Sequence, residues 1–296
     1  MKHSQPQSSF AKTIFYFGFH PCILAMALMI WYLIGDSEWG LLVVLVGIHS
    51  IIRVAENYLP AHQDWQQSGS EVLSIVAVTV FGLIFYGVVE SIYLAFLVEP
   101  LAAFRQNFNL NFWPQAWPTL VQLILLVLCS EFIFYWMHRS FHRWSFLWRL
   151  SGHGFHHSYQ NLHAINFLTA HPLEIIFLAF PTLFLAVFFG IDKNVVVGAA
   201  ILLSANTAVA HSNLNLYHKG IAWLFTTSNH HQRHHSCVFA ESNTNYSCNL
   251  IMWDRLFGTF SEGPTRQTGI GQREPSLWQK FMLPIRQPDD TQTSPK

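Results

Sequence analysis

Three short stretches of the chain concentrate histidine at helical spacing. In "HRSFH" His138 and His142 stand four residues apart. In "HGFHH" His153, His156 and His157 stand at i, i+3 and i+4, and "SNHHQRHHS" repeats that pattern with His231, His234 and His235. On a helix these offsets bring side chains onto one face, with Cβ atoms about 5–6 Å apart. Such a face can offer several nitrogens to a shared metal ion. Eight imidazoles are too many for one tetrahedral zinc, which takes four ligands. They suit two ions, each with several nitrogens and an open position. Imidazole binds iron, zinc, copper and nickel, so ligand type alone does not choose the metal.

Other residues could complete or tune such a centre. His230 also lies four residues before His234, but His231 reproduces the HxxHH pattern and is the preferred ligand, with His230 behind it. His211 in "AHSN" could complete a coordination sphere. His171 in "TAHPLE" is either a ligand or a structural histidine beside Pro172, and His163 is a further candidate. Glu131 lies seven residues before His138, on roughly the same helical face. It is placed to accept the second N–H of a ligand imidazole, which fixes the tautomer, or else it is an interfacial acid. Glu174 and Asp254 are similar candidates, and Glu131 and Asp254 are the carboxylates to which a catalytic part is assigned. An isolated histidine or HxxxH pair is ordinarily structural, and His3, His20, His49, His62 and His218 are read that way or as solvated. Glu90 is read as structural. The concentration of three groups is the signal.

The elements that must carry these residues are apolar. Of 296 residues 51% are hydrophobic and 11% charged, against about 25% charged in soluble domains. Formal net charge is zero, so nothing suggests a nucleic-acid partner. A crossing helix needs about 20 apolar residues. Ile14–Ile34, Trp39–Ile52, Val72–Val98 and Trp113–Ser130 meet or approach that, and the last continues to Met137. A fifth apolar region, Ile175–Ala210, is interrupted by Asp192 and Lys193 and reads as a hairpin entering and leaving on one side; two full spans would leave the sidedness unchanged. The expected fold is therefore all-α: an integral membrane bundle of about four transmembrane helices plus a helical hairpin, under a histidine-rich cap.

Lysine and arginine near the spans set orientation. Lys2 and Lys12 precede the first span, Arg53 ends the second, and Arg139, Arg143 and Arg149 follow the fourth. The N terminus, the cap and the C terminus are expected to face the cytoplasm, in a bacterial inner membrane. The first apolar run lacks a small-residue cleavage site and is too long for the hydrophobic part of a signal peptide. Three regions follow: transmembrane helices at 1–137, a histidine-box region at 138–262 that includes the apolar hairpin 173–210, and a polar tail at 263–296, disordered from about Gln287. Within that tail, 277–285 is expected against the membrane surface. No CxxC occurs among the four cysteines, and no disulfide framework is readable.

The stretches "SEFIFYWMHRSFHRWSFLWRLSGHGFHHS", "TAHPLE", "AHSN", "HHQRHH" and "NYSCNLIMWDRLFGTF" stand in the order and spacing of the fatty acid hydroxylase/sterol desaturase superfamily. The chain resembles that superfamily from about Glu131 to Phe260, with the look of bacterial members and of alkylglycerol monooxygenase-like proteins. The resemblance implies a membrane di-iron enzyme using O2, with the ligand role carried by His138, His142, His153, His156, His157, His231, His234 and His235, and a further histidine plausible at His211. Glu131 stands where the pattern more often has Asp, Ser247 replaces a usual Gly, and "TTSNHH" lacks the common preceding proline.

Two iron ions per chain, O2 and two electrons would remove hydrogen from an unactivated C–H bond, with hydroxylation favoured over desaturation. The substrate is expected to be a membrane lipid. Trp136, Phe141, Trp144, Trp148 and Phe155 could line its entrance or form an interfacial belt. "GIGQRE" lacks the third glycine of a dinucleotide fingerprint, and no ferredoxin-type cysteine run occurs, so a separate reductase, ferredoxin or cytochrome is expected to supply electrons. The rivals are a membrane zinc hydrolase, which would work without oxygen, and a metal transporter or store, which would distribute histidines along the spans.

Overall fold

The computed structural model describes residues 10–35, 37–216 and 219–286. His3, His218 and the segment from Gln287 lie outside the described residues. Among the described residues the chain is helical, with two isolated β-bridges and no strand.

The membrane part begins with α1 (Phe10–Ile34). After a turn, α2 (Glu38–Val43) runs through a π-helical turn at Val44–Ile48 into α3 (His49–Tyr58). Next comes α4 (Gly69–Asn107), which starts at a capping box in which Ser68 and Glu71 satisfy each other's backbone N–H. Its 39 residues span about 58 Å at 1.5 Å per residue, well beyond a hydrocarbon core of about 30 Å. Pro118 bars helix before it, so α5 (Thr119–Arg143) begins later than the apolar run does and carries it through to the first histidine pair. Two short helices, α6 (Ser145–Ser151) and α7 (His153–His157), follow in the cap. The chain then re-enters the bundle as α8 (Pro172–Phe189), ends that helix at left-handed Gly190, and returns as α9 (Lys193–His211), capped by Asp192. The rest of the cap holds α10 (Lys219–Leu224), α11 (Ser228–His234), α12 (Phe239–Ser242), α13 (Met252–Leu256) and α14 (Leu277–Met282).

Six of these stretches are long and apolar enough to cross a membrane: Lys12–Ile34, Trp39–Tyr58, Gly69–Asn107, Thr119–Arg143, Pro172–Phe189 and Lys193–His211. The expected hairpin is thus two candidate crossings in their own right. Its arms also take different neighbours, α8 lying against α4 and α5, and α9 against α1 and α5. Six candidate crossings, like the four expected with a hairpin, are an even number. Outward faces leave large apolar side chains exposed, among them Leu33, Leu73, Ile84 and Phe96, a surface that suits lipid and not water.

The buried core gathers around α9. A Cβ at Gly198 would come 2.5 Å from Leu123 and 2.6 Å from Trp31, so glycine there lets α1 and α5 close on α9. At the end away from the cap, Trp31 Nε1 donates to the Asn194 side chain at 2.8 Å, and Arg105 donates to the carbonyls of Val187 and Phe188. Inside the bundle, His20 pairs with Asn206 at 2.8 Å, and the Asn206 amide donates to Asn249. His20 and His49 therefore have structural partners, the latter in the Leu45 carbonyl.

The segment after Gly263 packs on the cap. Gly269 N–H donates to the His235 carbonyl, Cys237 N–H to the Gln267 carbonyl, and the Thr268 hydroxyl to the carbonyls of Tyr159 and Gln160. Farther on, α14 buries Lys280 over the Tyr159 ring and against Glu274, and sets Phe281 on Phe155. Trp278 on α14 and Ile285 just beyond it are exposed. All four cysteines are free.

Candidate metal centre

Each histidine group is delivered by a different element. His138 and His142 occupy the last turns of α5, and His211 ends α9. The HGFHH group forms α7, and the third group lies on α11 and its C-cap. Gly152 sets the start of α7: it adopts φ +70°, and a Cβ there would come 2.7 Å from His171.

The nine imidazoles gather into two groups. His138, His142, His153, His157 and His234 form the first; His156, His211, His231 and His235 form the second. Within each group the candidate ligand atoms lie within 4.8 Å of one another. The two adjoin, with the rings of His157 and His235 stacked 4.2 Å apart. Each HxxHH box is split by helical geometry. Its i and i+4 members are only about 40° apart around the axis, while i+3 and i+4 diverge by about 100°. The i, i+4 pair accordingly serves one group and the i+3 histidine crosses to the other, in opposite senses for α7 and α11. A single shared face, as the spacing suggests, is replaced by a bridge between two sites.

Nitrogen geometry fits a cation in each group. Nδ1–H donates to the Glu174 carboxylate from His153 at 2.6 Å, and to backbone carbonyls from the others: Tyr246 for His138, Thr169 for His156 at 3.1 Å, Thr207 for His211 at 2.8 Å, Thr244 for His234 at 2.9 Å. The Nε2 of each of those five rings is then a bare lone pair. Yet Nε2 atoms face each other at 2.8 Å between His138 and His153, 3.2 Å between His138 and His234, and 3.2 Å between His156 and His211. Lone pairs repel at such distances unless a cation lies between them. Metal–nitrogen bonds of about 2.1 Å place adjacent ligand nitrogens about 3.0 Å apart at right angles and about 3.4 Å apart at tetrahedral angles. His157 is fully buried, and neither of its nitrogens makes a hydrogen bond. That is costly for a buried polar ring and is relieved by coordination.

Burial, helped by neighbouring imidazoles, holds His153, His157, His231, His234 and His235 well below the usual histidine range, and burial holds His156 at about 4. The rings are therefore neutral, the form in which histidine binds a metal.

The remaining candidates fall outside both groups. His171 caps α8, its Nδ1 accepting from Leu173 N–H. His230 accepts from Thr227 N–H at the start of α11, and its Nε2 is 3.8 Å from Glu262. His163 lies between Arg53 and the Trp65 carbonyl. Glu174 touches His153, as a tautomer-fixing carboxylate would. Glu131 does not touch an imidazole: its carboxylate accepts from the Asn249 N–H and side-chain amide, tying α5 to the loop before α13. Asp254 accepts from the N–H groups of Tyr246 and Ser247 and from the Thr259 hydroxyl. It shapes the loop whose Tyr246 carbonyl orients His138, and burial raises its own pKa. Of the five aromatic residues near the cap, Phe141, Trp148 and Phe155 are buried, and Trp148 packs on His142, His153 and His157. Trp136 and Trp144 are exposed, as in an interfacial belt.

Sequence reasoning missed the carbonyls of Tyr246, Thr169, Thr207 and Thr244, since a backbone acceptor leaves no residue-type signature. It also missed Glu56, a buried carboxylate near the end of α3 whose ion-pair partners are Arg53 and His163.

The fatty acid hydroxylase family profile matches residues 123–259. Ornithine lipid hydroxylase OlsE of Rhizobium tropici is 30% identical over 257 residues, which cover 85% of this chain and 77% of that protein. Methylsterol monooxygenase 2-2 of Arabidopsis thaliana is 28% identical over 52% of this chain and 57% of its own length. Alkylglycerol monooxygenase of Xenopus tropicalis is 31% identical over 46% of this chain and 30% of its own. Outside the Rhizobium protein, then, the chain spans little more than half of these relatives at most. No solved structure matches.

Proposed function

Because the chain belongs to the fatty acid hydroxylase family, we propose that it is a membrane oxygenase that hydroxylates a C–H bond of a membrane lipid, using two iron ions, O2 and electrons from a separate donor. The observation that carries this reading is the pair of adjoining, buried, all-histidine groups. One ion would be held by His138, His142, His153, His157 and His234, the other by His156, His211, His231 and His235. When bound, the iron pair supplies the redox chemistry, activating O2 and breaking an unactivated C–H bond.

The rest is the work of the chain. Glu174 and the carbonyls of Tyr246, Thr169, Thr207 and Thr244 hold five Nδ1–H groups outward, so that Nε2 lone pairs aim inward before any ion arrives. Asp254 and Glu131 act one step further out, by fixing the loop at 245–250. Phe141 and Trp148 cover the first group and keep water from it.

A lipid substrate is supported by the relatives, which are named for ornithine lipid, methylsterol and alkylglycerol, and by the position of the histidine groups at the ends of two candidate membrane spans, α5 and α9. Hydroxylation is favoured over desaturation by the Rhizobium relative. The histidines gather at one end and in the cap, unlike those of a transporter pathway. The lysine and arginine residues near the spans support an orientation with that end and both termini in the cytoplasm, and the Rhizobium relative supports a bacterial inner membrane. There a reductase, ferredoxin or cytochrome would dock.

The test is anaerobic purification, metal analysis, and lipid profiling of cells with and without the protein under oxygen. Two irons per chain and a lipid product heavier by one oxygen are expected. Zinc at that stoichiometry, with turnover that needs no oxygen, would overturn the reading in favour of a hydrolase.

A further inference from the structure

Glu56 lies near the cap end of α3 and is 2% exposed. Its Oε1 accepts from the backbone N–H of Ala164 at 2.8 Å and of Asn213 at 2.7 Å. Its Oε2 accepts from Arg53 Nη1 at 3.2 Å. The same guanidinium nitrogen donates to His163 Nδ1 at 2.7 Å, and His163 Nε2–H donates to the Trp65 carbonyl at 3.0 Å. One buried carboxylate therefore joins three separate parts of the chain. Only an acceptor-only group can serve two backbone donors and a guanidinium together.

Both backbone contacts lead to the second histidine group. Ala164 opens the 3-10 turn Ala164–Leu168; the next residue, Thr169, supplies the carbonyl that orients His156. Asn213 stands two residues after His211. Between them, the Ser212 carbonyl accepts from the side chain of Gln232 at 2.9 Å, next to His231 on α11. The first group leans instead on Glu174, Tyr246 and Thr244.

We propose that Glu56 is the positioning residue for the second metal site, holding the two backbone segments that aim His156 and His211. The proposal rests on the two-metal reading above. It also accounts for His163, which accepts from the Arg53 nitrogen that holds the outer oxygen of Glu56.

The experiment titrates the full-length chain in detergent with Fe(II) under anaerobic conditions. Wild type, Glu56→Met and Glu56→Ala are compared, each also in a His235→Ala background in which only the first site is intact. Wild type is expected to take up two equivalents. Both Glu56 variants should bind the first normally and the second at least about tenfold more weakly, the lower end of the cost of losing an outer-shell partner. In the His235→Ala background, Glu56→Met should leave the remaining equivalent unchanged, which a general loss of structure would not. The methionine, similar in length but without an oxygen for the Ala164 and Asn213 N–H groups, carries the test should the alanine variant fail to fold. Wild-type binding of both equivalents by Glu56→Met overturns the proposal, as does equal weakening of the equivalent left in the His235→Ala background. A wild type that holds fewer than two ions overturns the two-metal reading, and this proposal with it.

Discussion

Replacing Glu174 by alanine takes away the oxygen that accepts His153 Nδ1–H at 2.6 Å, at a point where both side chains are 3% exposed. The N–H is left without an acceptor in a place water does not reach, which costs about 1–3 kcal/mol. An independent scale agrees: losing the partner behind a ligand histidine weakens metal binding about 10–100-fold, or about 1.4–2.7 kcal/mol. The first site should therefore lose one to two orders of magnitude in affinity while the second is unchanged, the reverse of the Glu56 variants. Glutamine should do less harm. Glu174 Oε2 makes no hydrogen bond, so an amide can keep its carbonyl on His153 and put its NH2 where no partner existed before. Competition titration with a chelator of known affinity, using Fe(II) and then Zn(II), reads both equivalents. Unchanged first-site affinity in Glu174→Ala would refute the reasoning, and a glutamine variant as weak as alanine would show that charge, not acceptor geometry, sets the site.

Other expectations follow from the same contacts. His157→Ala should cost the metal-free chain less than the 2–5 kcal/mol typical of large-to-small core changes, because two unsatisfied nitrogens leave with the ring. Thermal unfolding with and without metal should then show a smaller gap than in wild type. Asp254→Ala strands the Tyr246 and Ser247 N–H groups, at about 1–3 kcal/mol each; a lowered melting temperature should accompany weaker first-site binding through the Tyr246 carbonyl. Gly152→Ala must hold a left-handed residue, at about 1–2 kcal/mol, and also push its Cβ off His171. Its melting temperature should fall further than the conformational term alone accounts for.

Much of the architecture was legible because bilayer crossing and helical coordination impose strong residue patterns. Apolar runs located the helices, and the HxxHH spacing picked out the imidazoles that converge. What the spacing could not give was their partition. Whether His156 shares an ion with His153 or turns towards His211 depends on how α7 meets α9 and α11, a matter of packing between distant segments. The apolar region 175–210 was ambiguous for a like reason: the polar Asp192–Lys193 pair marks a reversal but not how far each arm runs or what it packs against. Glu131 shows the limit from the other side. Its position on α5 suited a contact with the histidines, but Asn249, more than a hundred residues away, offered two donors and took the carboxylate.

The contacts of 267–271 bear on how the centre is built in a cell. Thr268 and Gly269 fasten the end of the third box to the residues just after the second, yet they emerge from the ribosome after every imidazole has been made. A nascent chain stopped short of them carries the full complement of nitrogens and lacks the clasp. Maturation of the site is therefore a late event, and a truncation just before Gln267 should yield a protein that inserts into the membrane but fails to mature.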